Sequence, residues 1–138
     1  MSRSGYSDGY DAEENWSQIC WRGAVKSAIR GKRGQAFLVE LAAALDAMPV
    51  KHLVKDELKA DGEFCTLGVL GNARGLDMTV IDPTDTELCA HKFGLAEAMV
   101  REIVYENDEG AWEPYKETPE QRWVRMRRWV SDHIVEVA

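Results

Sequence analysis

Hydrophobic residues recur every three or four positions along most of the chain, which is the spacing of amphipathic helices. The most apolar such segment is Ala36–Met48, in which Glu40 and Asp46 are the only charged residues. A helix that is apolar on nearly every side is buried, and these 13 residues fall short of the roughly 20 that cross a bilayer. We therefore expect Ala36–Met48 to be the central and most buried helix, ending before Pro49.

A polar tail and a second amphipathic segment precede this helix. Residues 1–11 are mostly Ser, Gly, Asp and Tyr without a hydrophobic period, which predicts a flexible tail whose two tyrosines are available to dock on the core or on a partner. From about Ala12 to Ile29 the spacing is helical. The residues expected to face the core share that spacing: Trp16, Ile19, Cys20, Gly23, Ala24 and Ser27. The glycines that follow break the chain before the central helix.

Residues 53–64 are predicted to form a short β-hairpin, because Asp61-Gly62 is a dipeptide typical of two-residue hairpin turns. Residues 65–74 form an apolar helical pattern with two internal glycines. Glycine in a helix interior costs about 1 kcal/mol relative to alanine. We therefore expect these glycines to mark the close approach of another element, and Gly75 to terminate the helix.

Start and stop signals place the next two helices. Asp82 followed by Pro83 predicts the N-cap and first residue of a helix that ends before Gly94. The following helix spans Leu95–Glu106, and a polar turn at 107–110 ends it. This arrangement has the spacing of a helix-turn-helix motif, but residues 89–110 hold five acids and two bases. Those acids would repel phosphates, so we do not expect this motif to bind DNA.

The last helix carries the clearest start signal in the chain. Thr118 is the predicted N-cap, Pro119 the first helical residue, and Gln121 completes a capping box. Its apolar residues form one predicted buried stripe: Trp123, Met126, Val130, Ile134 and Val137. Its four arginines are expected to lie mostly outside that stripe: Arg122, Arg125, Arg127 and Arg128.

Together these elements predict an all-α fold, a compact bundle of five or six helices with at most one short hairpin near residues 53–64. With 138 residues the chain is expected to hold one domain, residues 12–138, after the tail. Three widely spaced cysteines argue against a disulfide framework. Without an apolar leader or a membrane-spanning run, we expect a protein of a reducing cytoplasm that does not enter membranes.

The net charge of −7 is unevenly distributed. Residues 21–35 contain five bases and no acid, whereas residues 61–88 contain six acids and one base. The five bases form a predicted stripe that ends in a Gly-Lys-Arg-Gly turn: Arg22, Lys26, Arg30, Lys32 and Arg33. Such a turn before a helix can bind an anion or a nucleic acid. The alternative is a solvated helix face, paired in part with the acids of residues 61–88.

Aromatic residues mark a second candidate surface. Trp112 and Tyr115 lie in an irregular stretch beside the acids Asp108 and Glu109. Because Trp, Tyr and Arg dominate the binding energy of protein interfaces, we expect these four residues to form one patch that contacts a protein partner or closes a homodimer. The alternative is that the aromatic rings cover the edge of the core.

No catalytic signature is present. The acidic run at 106–110 lacks the ligand spacing of a calcium loop, and no phosphate-binding loop, dinucleotide loop or nucleophile elbow occurs. We therefore expect a protein that is not an enzyme and needs no metal or cofactor. A small hydrolase with Cys89 or Cys65 as its nucleophile remains an alternative, because a histidine distant in sequence can lie nearby in the fold.

As a whole, the chain resembles a family of small proteins encoded by phages and prophages of proteobacteria. The resemblance covers roughly residues 16–134 and rests on these segments: Trp21–Val25, Ala28–Leu38, Cys65, Leu67-Gly68, Arg74-Gly75, Phe93–Ala98, Arg101–Glu109 and Glu117–Trp129. It implies a phage origin and the cytoplasm of a host, and it brings no catalytic residue, cofactor or substrate. By analogy with other small acidic phage proteins, we expect an accessory protein that binds a host or phage macromolecule, including a host defence complex. The alternative is a nucleic-acid-binding module that uses the basic stripe.

Overall fold

The computed structural model describes Arg3, Ser4, Tyr6 and residues 12–135, with only the backbone described for residues 12–17. Six α-helices lie in this part of the chain: α1 (Ala12–Arg30), α2 (Lys32–Asp46), α3 (Thr66–Ala73), α4 (Thr86–Phe93), α5 (Glu97–Glu109) and α6 (Pro119–His133). Two short 3-10 turns, Met78–Val80 and Pro114–Lys116, lie in the connections. The predicted all-α bundle is confirmed.

A two-stranded hairpin joins α2 to α3. Strand β1 (Lys59–Ala60) pairs antiparallel with β2 (Glu63–Phe64). Asp61 and Gly62 both have positive φ, 52° and 80°, as the tight turns that match the twist of paired strands require. The predicted hairpin is therefore confirmed, and its turn residues are the ones that the sequence indicated.

Helix α2 lies at the centre of the bundle, where it packs on α1, α3 and α6. Its buried face carries Phe37, Leu38, Leu41 and Leu45. The opposite face, which includes Val39, is exposed to solvent. Helix α2 is thus central, but the expectation that it is the most buried helix is wrong, because its alanines and Val39 allow one side to remain open.

The most buried helix is α3, in which all residues from Thr66 to Gly71 are buried. A Cβ at Gly68 would collide with the carbonyl oxygen of Leu58, and one at Gly71 would lie 2.7 Å from the sulfur of Met78. These glycines therefore mark close approaches, as predicted. Gly75, with φ of 74°, follows the helix as its terminating residue.

Helix α1 buries a different face from the one that its sequence predicts. Val25 and Ile29 are buried, and Trp21 and Ala28 pack against the same core. The residues expected inside are exposed wherever their side chains are described: Ile19, Cys20, Gly23, Ala24 and Ser27. The side chain of Trp16 lies outside the described residues. Two sets of residues at helical spacing could face the core in this segment. The set with Val25 and Ile29 buries more apolar area than the set made mostly of small residues.

Helices α4 and α5 pack against each other across the turn at Gly94, which has φ of 69°, and α5 begins at Glu97, two residues later than predicted. The start of α4 was predicted three residues too early: its N-cap is Asp85, and Asp82 instead accepts the backbone N–H of Thr84 at 2.9 Å. Helix α5 continues to Glu109. The polar run predicted as a turn is therefore helical, because tertiary partners of its side chains outweigh the local turn preference.

Helix α6 begins with the predicted capping box between Thr118 and Gln121. It runs antiparallel to α2, since Arg127 contacts Asp46 at one end and Gln35 contacts the carbonyl of His133 at the other. Its buried residues are Arg122, Met126, Trp129 and Val130. The placement of Arg122 outside the buried stripe is wrong, Trp123 and Ile134 are only half-buried, and Val137 lies outside the described residues.

Candidate functional site

The last turn of α1 and the first turn of α2 form a positively charged corner. Only Gly31 separates the two helices, and its extended backbone (φ −63°, ψ 159°) turns the chain between them. Four exposed side chains, which we call the basic corner, lie here: Lys26, Arg30, Lys32 and Arg33. Within the described part of the chain, none of them forms an ion pair with an acid of residues 61–88 or with any other carboxylate.

Two shallow grooves flank the basic corner. One, of about 370 Å³, lies between α1 and the end of α6. The other, of about 230 Å³, lies beside the start of α2 and reaches Leu95 and Met99. No side chain caps the first turn of α2 at Gly31. Lys26 and Arg30 line the first groove, and Lys32 and Arg33 line the second. Cations therefore lie on both sides of the uncapped start of α2, which suits a chain of anionic groups.

Arg22, the fifth base of the predicted stripe, has a different role. Its two terminal nitrogens donate to the two carboxylate oxygens of Glu102, each at 2.7 Å. The hydrogen bond to Glu102 raises the pKa of Arg22, and the Glu102 side chain is 5% exposed. Arg22 therefore neutralises a buried acid of α5, and only four of the five predicted bases remain available to a partner.

The second candidate surface lies between α5 and α6. The side chains of Trp112 and Tyr115 are 97% and 75% exposed, and we call this pair the aromatic knob. Single exposed hydrophobic residues are ordinary on protein surfaces. A tryptophan with almost its whole surface in water is unusual, because indole gains more from burial than most side chains.

The base of the aromatic knob is held by Arg125 of α6. Its guanidinium donates to the carbonyl oxygens of Glu106 at 2.6 Å and Asn107 at 3.1 Å, and to both carboxylate oxygens of Glu117. One side chain thus ties the end of α5 to the residue that precedes the N-cap of α6. The knob is exposed on a connection whose two ends are fixed.

The predicted patch of four residues is only partly formed. Glu109 is exposed near the aromatic knob, in agreement with the prediction. Asp108 is buried and does not belong to the patch, because its carboxylate points to the other side of α5 and binds Arg3. A sequence pattern alone places neighbouring residues together, whereas successive residues on a helix point about 100° apart.

Arg3 of the predicted tail lies inside the protein. Its Nε and Nη2 donate to the two carboxylate oxygens of Asp108 at 2.6 and 2.7 Å. The two side chains are 3% and 4% exposed. Burial alone would raise the pKa of Asp108, but the guanidinium of Arg3 outweighs it and holds that pKa below its usual value.

Tyr6 forms a second anchor of the same segment. Its hydroxyl donates to Glu102 at 3.0 Å, and its ring lies 6.1 Å from Trp21 and 5.0 Å from Tyr105. Burial is the main cause that raises the pKa of Tyr6, to about 12. The prediction of a flexible tail is therefore wrong for Arg3, Ser4 and Tyr6, and the rest of residues 1–11 lies outside the described part. The predicted docking of a tail tyrosine is found for Tyr6.

The thiols and imidazoles form no catalytic pair in the described part of the chain. Cys89 is buried, and burial raises its pKa to about 11, so it carries a proton at neutral pH. Cys65 accepts the backbone N–H of Gly68 and caps α3. The rings of His52 and His133 contact carboxylates and a backbone carbonyl, not sulfur. Among the described residues, no three His, Cys, Asp or Glu side chains are grouped to hold a metal ion.

No protein family, curated protein or solved structure matches the chain. Among the described helices, none combines the length and the apolar character needed to cross a membrane. The two exposed surfaces and the buried contacts of Arg3 and Tyr6 are thus the features from which a function can be argued.

Proposed function

We propose that this is a non-enzymatic binding protein that holds a partner protein through the aromatic knob. The single observation behind this proposal is the 97% exposure of Trp112. Side chains of this type supply most of the energy of an interface when they enter a pocket of the partner. The partner would offer an apolar slot for the indole, with a polar rim for the exposed carboxylate of Glu109.

The contacts beneath the aromatic knob support this proposal. Binding is weakened when a loop must be ordered at the moment of association. Here Arg125 fixes both ends of the connection, and Lys116 pairs with Glu113 at 3.0 Å within it. The backbone of the connection is therefore held before the partner arrives, and less conformational entropy of this loop is lost on binding.

The resemblance to phage-encoded proteins supplies the biological setting of the proposal. In that setting the chain is an accessory protein of a phage or prophage that acts in the host cytoplasm. Its partner is a host or phage protein, and a host defence complex is the partner class that such small acidic proteins commonly meet. A homodimer closed through the aromatic knob is the competing arrangement, and the experiment below distinguishes it.

The test replaces Trp112 by alanine and compares it with Val80→Ala, a change at another exposed hydrophobic residue, 67% exposed. Both variants should keep the helical circular-dichroism signal. Their free energies of unfolding should lie within about 0.5 kcal/mol of the wild-type value, as is usual for surface substitutions. A photo-crosslinking residue at position 115, beside the retained Trp112, should capture one defined protein in host lysate. Adding Trp112→Ala should abolish this capture, and adding Val80→Ala should leave it unchanged. Sedimentation of the purified protein shows whether a second copy is the partner.

Two results would contradict the proposal. A melting temperature lowered by many degrees in Trp112→Ala would show that the indole belongs to the core. Equal capture in the Trp112→Ala and Val80→Ala backgrounds would show that the aromatic knob has no particular partner. Trp123→Ala is a useful further comparison of melting temperature, since Trp123 is a half-buried tryptophan that packs against the core.

The basic corner favours a second candidate function, binding of a nucleic acid. Its supporting observation is that four cations lie within one corner of a protein of net charge −7 and form no ion pair among the described residues. Phosphate contacts of this kind add affinity without sequence preference, and they weaken as salt rises. A band-shift or fluorescence titration at low salt tests it, and no binding to duplex or single strands would exclude it.

A further inference from the structure

Arg3 and Tyr6 occupy one continuous face of α5. Asp108, Tyr105 and Glu102 are spaced three residues apart along the helix, so they lie along one side of it. We propose that this face, the α5 recess, is a binding site for a peptide that carries an arginine and, three residues later, a tyrosine. In the structure the chain's own Arg3 and Tyr6 fill it.

The arginine end of the α5 recess is built by groups other than Arg3. Besides the guanidinium, Asp108 accepts the backbone N–H of Asp56 at 3.1 Å and the side-chain amide of Asn107 at 2.9 Å. Asn107 is held in turn by Thr66 at 2.8 Å and by the carbonyl of Val54 at 2.9 Å. The orientation of the carboxylate is therefore set by the core, and both of its oxygens face the position of the guanidinium.

This geometry selects arginine over lysine. A guanidinium offers two parallel N–H donors to the two oxygens of a carboxylate, whereas an ammonium is a single point of charge. Cys65 lies 3.7 Å from a third nitrogen of Arg3, which fills the remaining edge of the site with a weak acceptor. An empty recess would hold a buried carboxylate without a counter-ion, so any replacement for Arg3 must also bring a cation.

The tyrosine end of the α5 recess is also fixed by the core. Arg22 holds Glu102 through two hydrogen bonds of 2.7 Å, and the guanidinium of Arg101 lies over the ring of Trp21 at 5.3 Å. Trp21 and Tyr105 then form two aromatic walls, and Glu102 accepts the hydroxyl between them. The two ends of the recess thus recognise an arginine and a tyrosine that are three positions apart, as Arg3 and Tyr6 are.

Arg3 and Tyr6 act as an internal competitor, because they occupy the recess that a partner peptide would fill. A segment attached to the same chain has a high effective concentration at its site. A partner peptide therefore binds only when it offers both an arginine and a tyrosine. It must also be present in excess or be held near the recess by another contact with the protein. The inference does not depend on the aromatic knob, because Trp112 contributes nothing to the recess.

The experiment uses a variant in which the segment no longer fills the site, Arg3→Ala combined with Tyr6→Ala. The probe is a synthetic peptide with the sequence of residues 1–8, and calorimetry measures its binding. We expect one peptide per protein, with affinity at least about tenfold lower when lysine replaces the peptide's arginine. Wild type should bind the same peptide more weakly than the variant does, because its own segment competes.

Matched changes in the recess identify the site. Asp108→Asn, added to the variant, should abolish peptide binding, whereas Glu87→Gln, a change at an exposed acid of α4, should leave it intact. Binding that is equal for the arginine and lysine peptides, or unaffected by Asp108→Asn, would overturn the proposal. So would a folded variant that binds no peptide at millimolar concentration.

A second measurement on wild type covers the case in which the variant does not fold. With fluorine-labelled tyrosine, an excess of the arginine peptide should move the Tyr6 resonance towards that of free tyrosine, and the lysine peptide should not. An unchanged resonance would overturn the proposal. If wild type forms a dimer that the peptide dissolves, the occupant is a second copy of this chain, and the assignment to a partner protein is overturned.

Discussion

The α5 recess and the basic corner use the same kind of side chain for opposite purposes. In the recess, Arg3 and Arg22 each meet a carboxylate in a two-pronged contact of 2.6–2.7 Å, and both acids are almost fully buried. In the basic corner, Arg30 and Arg33 are exposed and form no ion pair among the described residues. The difference lies in what surrounds each arginine, since α5 supplies buried acids and the corner has none.

This comparison separates the charges that hold the fold from the charges that remain for a partner. Removing one member of a buried ion pair leaves a charge in a medium that solvates it poorly, and the cost is large. Removing an exposed, unpaired charge costs little. The net charge of −7 indicates neither the buried ion pairs of the α5 recess nor the exposed cations of the basic corner. The four predictions below test the contrast, in order of decreasing effect on stability.

The largest effect should come from a buried charge that has no partner at all. Leu41 is fully buried at the centre of α2, whereas each buried acid of the α5 recess is paired with an arginine. Leu41→Asp should therefore unfold the protein at 25 °C, because an isolated carboxylate cannot be accommodated in an apolar core. Circular dichroism measures the outcome, with Val39→Asp on the exposed face as the control. A folded Leu41→Asp variant would show that α2 is not central.

The next effect compares one arginine from each region. Arg3→Ala leaves Asp108 buried without its counter-ion and should lower the free energy of unfolding by about 3–5 kcal/mol. Arg30→Ala removes an exposed cation and should change it by less than about 0.5 kcal/mol. Urea denaturation of both variants measures the difference. Equal effects would mean that the contact between Arg3 and Asp108 adds nothing to stability.

Lowering the pH should weaken the ion pair between Arg3 and Asp108 in the α5 recess before it affects the basic corner. The folded pKa of Asp108 is lowered, so its contribution to stability is complete above the unfolded value of about 3.9 and is lost as pH falls through the lower folded value. Wild type should therefore lose stability below about pH 4. In the Arg3→Ala variant this part of the pH dependence should disappear, and a profile parallel to wild type would contradict the assignment.

The smallest effect on stability, with the largest effect on binding, belongs to the basic corner. Removing Arg30 and Arg33 together should leave the melting temperature nearly unchanged. If the corner binds nucleic acid, the same change should reduce the slope of log affinity against log salt concentration by about two. Lys55→Ala with Lys92→Ala removes the same charge at two other exposed bases and serves as the control. Equal losses in both double variants would mean that net charge, not the corner, governs binding.

Features fixed by neighbouring residues could be predicted from the sequence. The capping box at Thr118 and the turn at Asp61-Gly62 involve residues within three positions of each other. Local chemistry determines such structures. The exposure of Trp112 and Tyr115 is one of the two alternatives that their irregular stretch left open, the other being a cover over the edge of the core. The four-residue cluster of bases was visible as a run of charge.

The α5 recess could not be predicted, because its contacts join residues far apart in the chain. Arg3 and Asp108 are separated by 105 positions, and no local rule pairs them. Asn107 and Asp108 together favour a turn, but in the fold both are buried in a helix. The buried face of α1 was also assigned wrongly, since Val25 and Ile29 compete with a stripe of small residues at the same spacing.

The antiparallel contact of α2 with α6 has a consequence for the order of folding. Gln35 bonds to the carbonyl of His133 and to the N–H of Val135, across 98 and 100 positions, whereas α3 reaches α2 after a short hairpin. Closing the longer loop costs more entropy, so we expect α2 and α3 to associate first and α6 to dock late. Val130→Ala should then accelerate unfolding while leaving the rate of folding nearly unchanged.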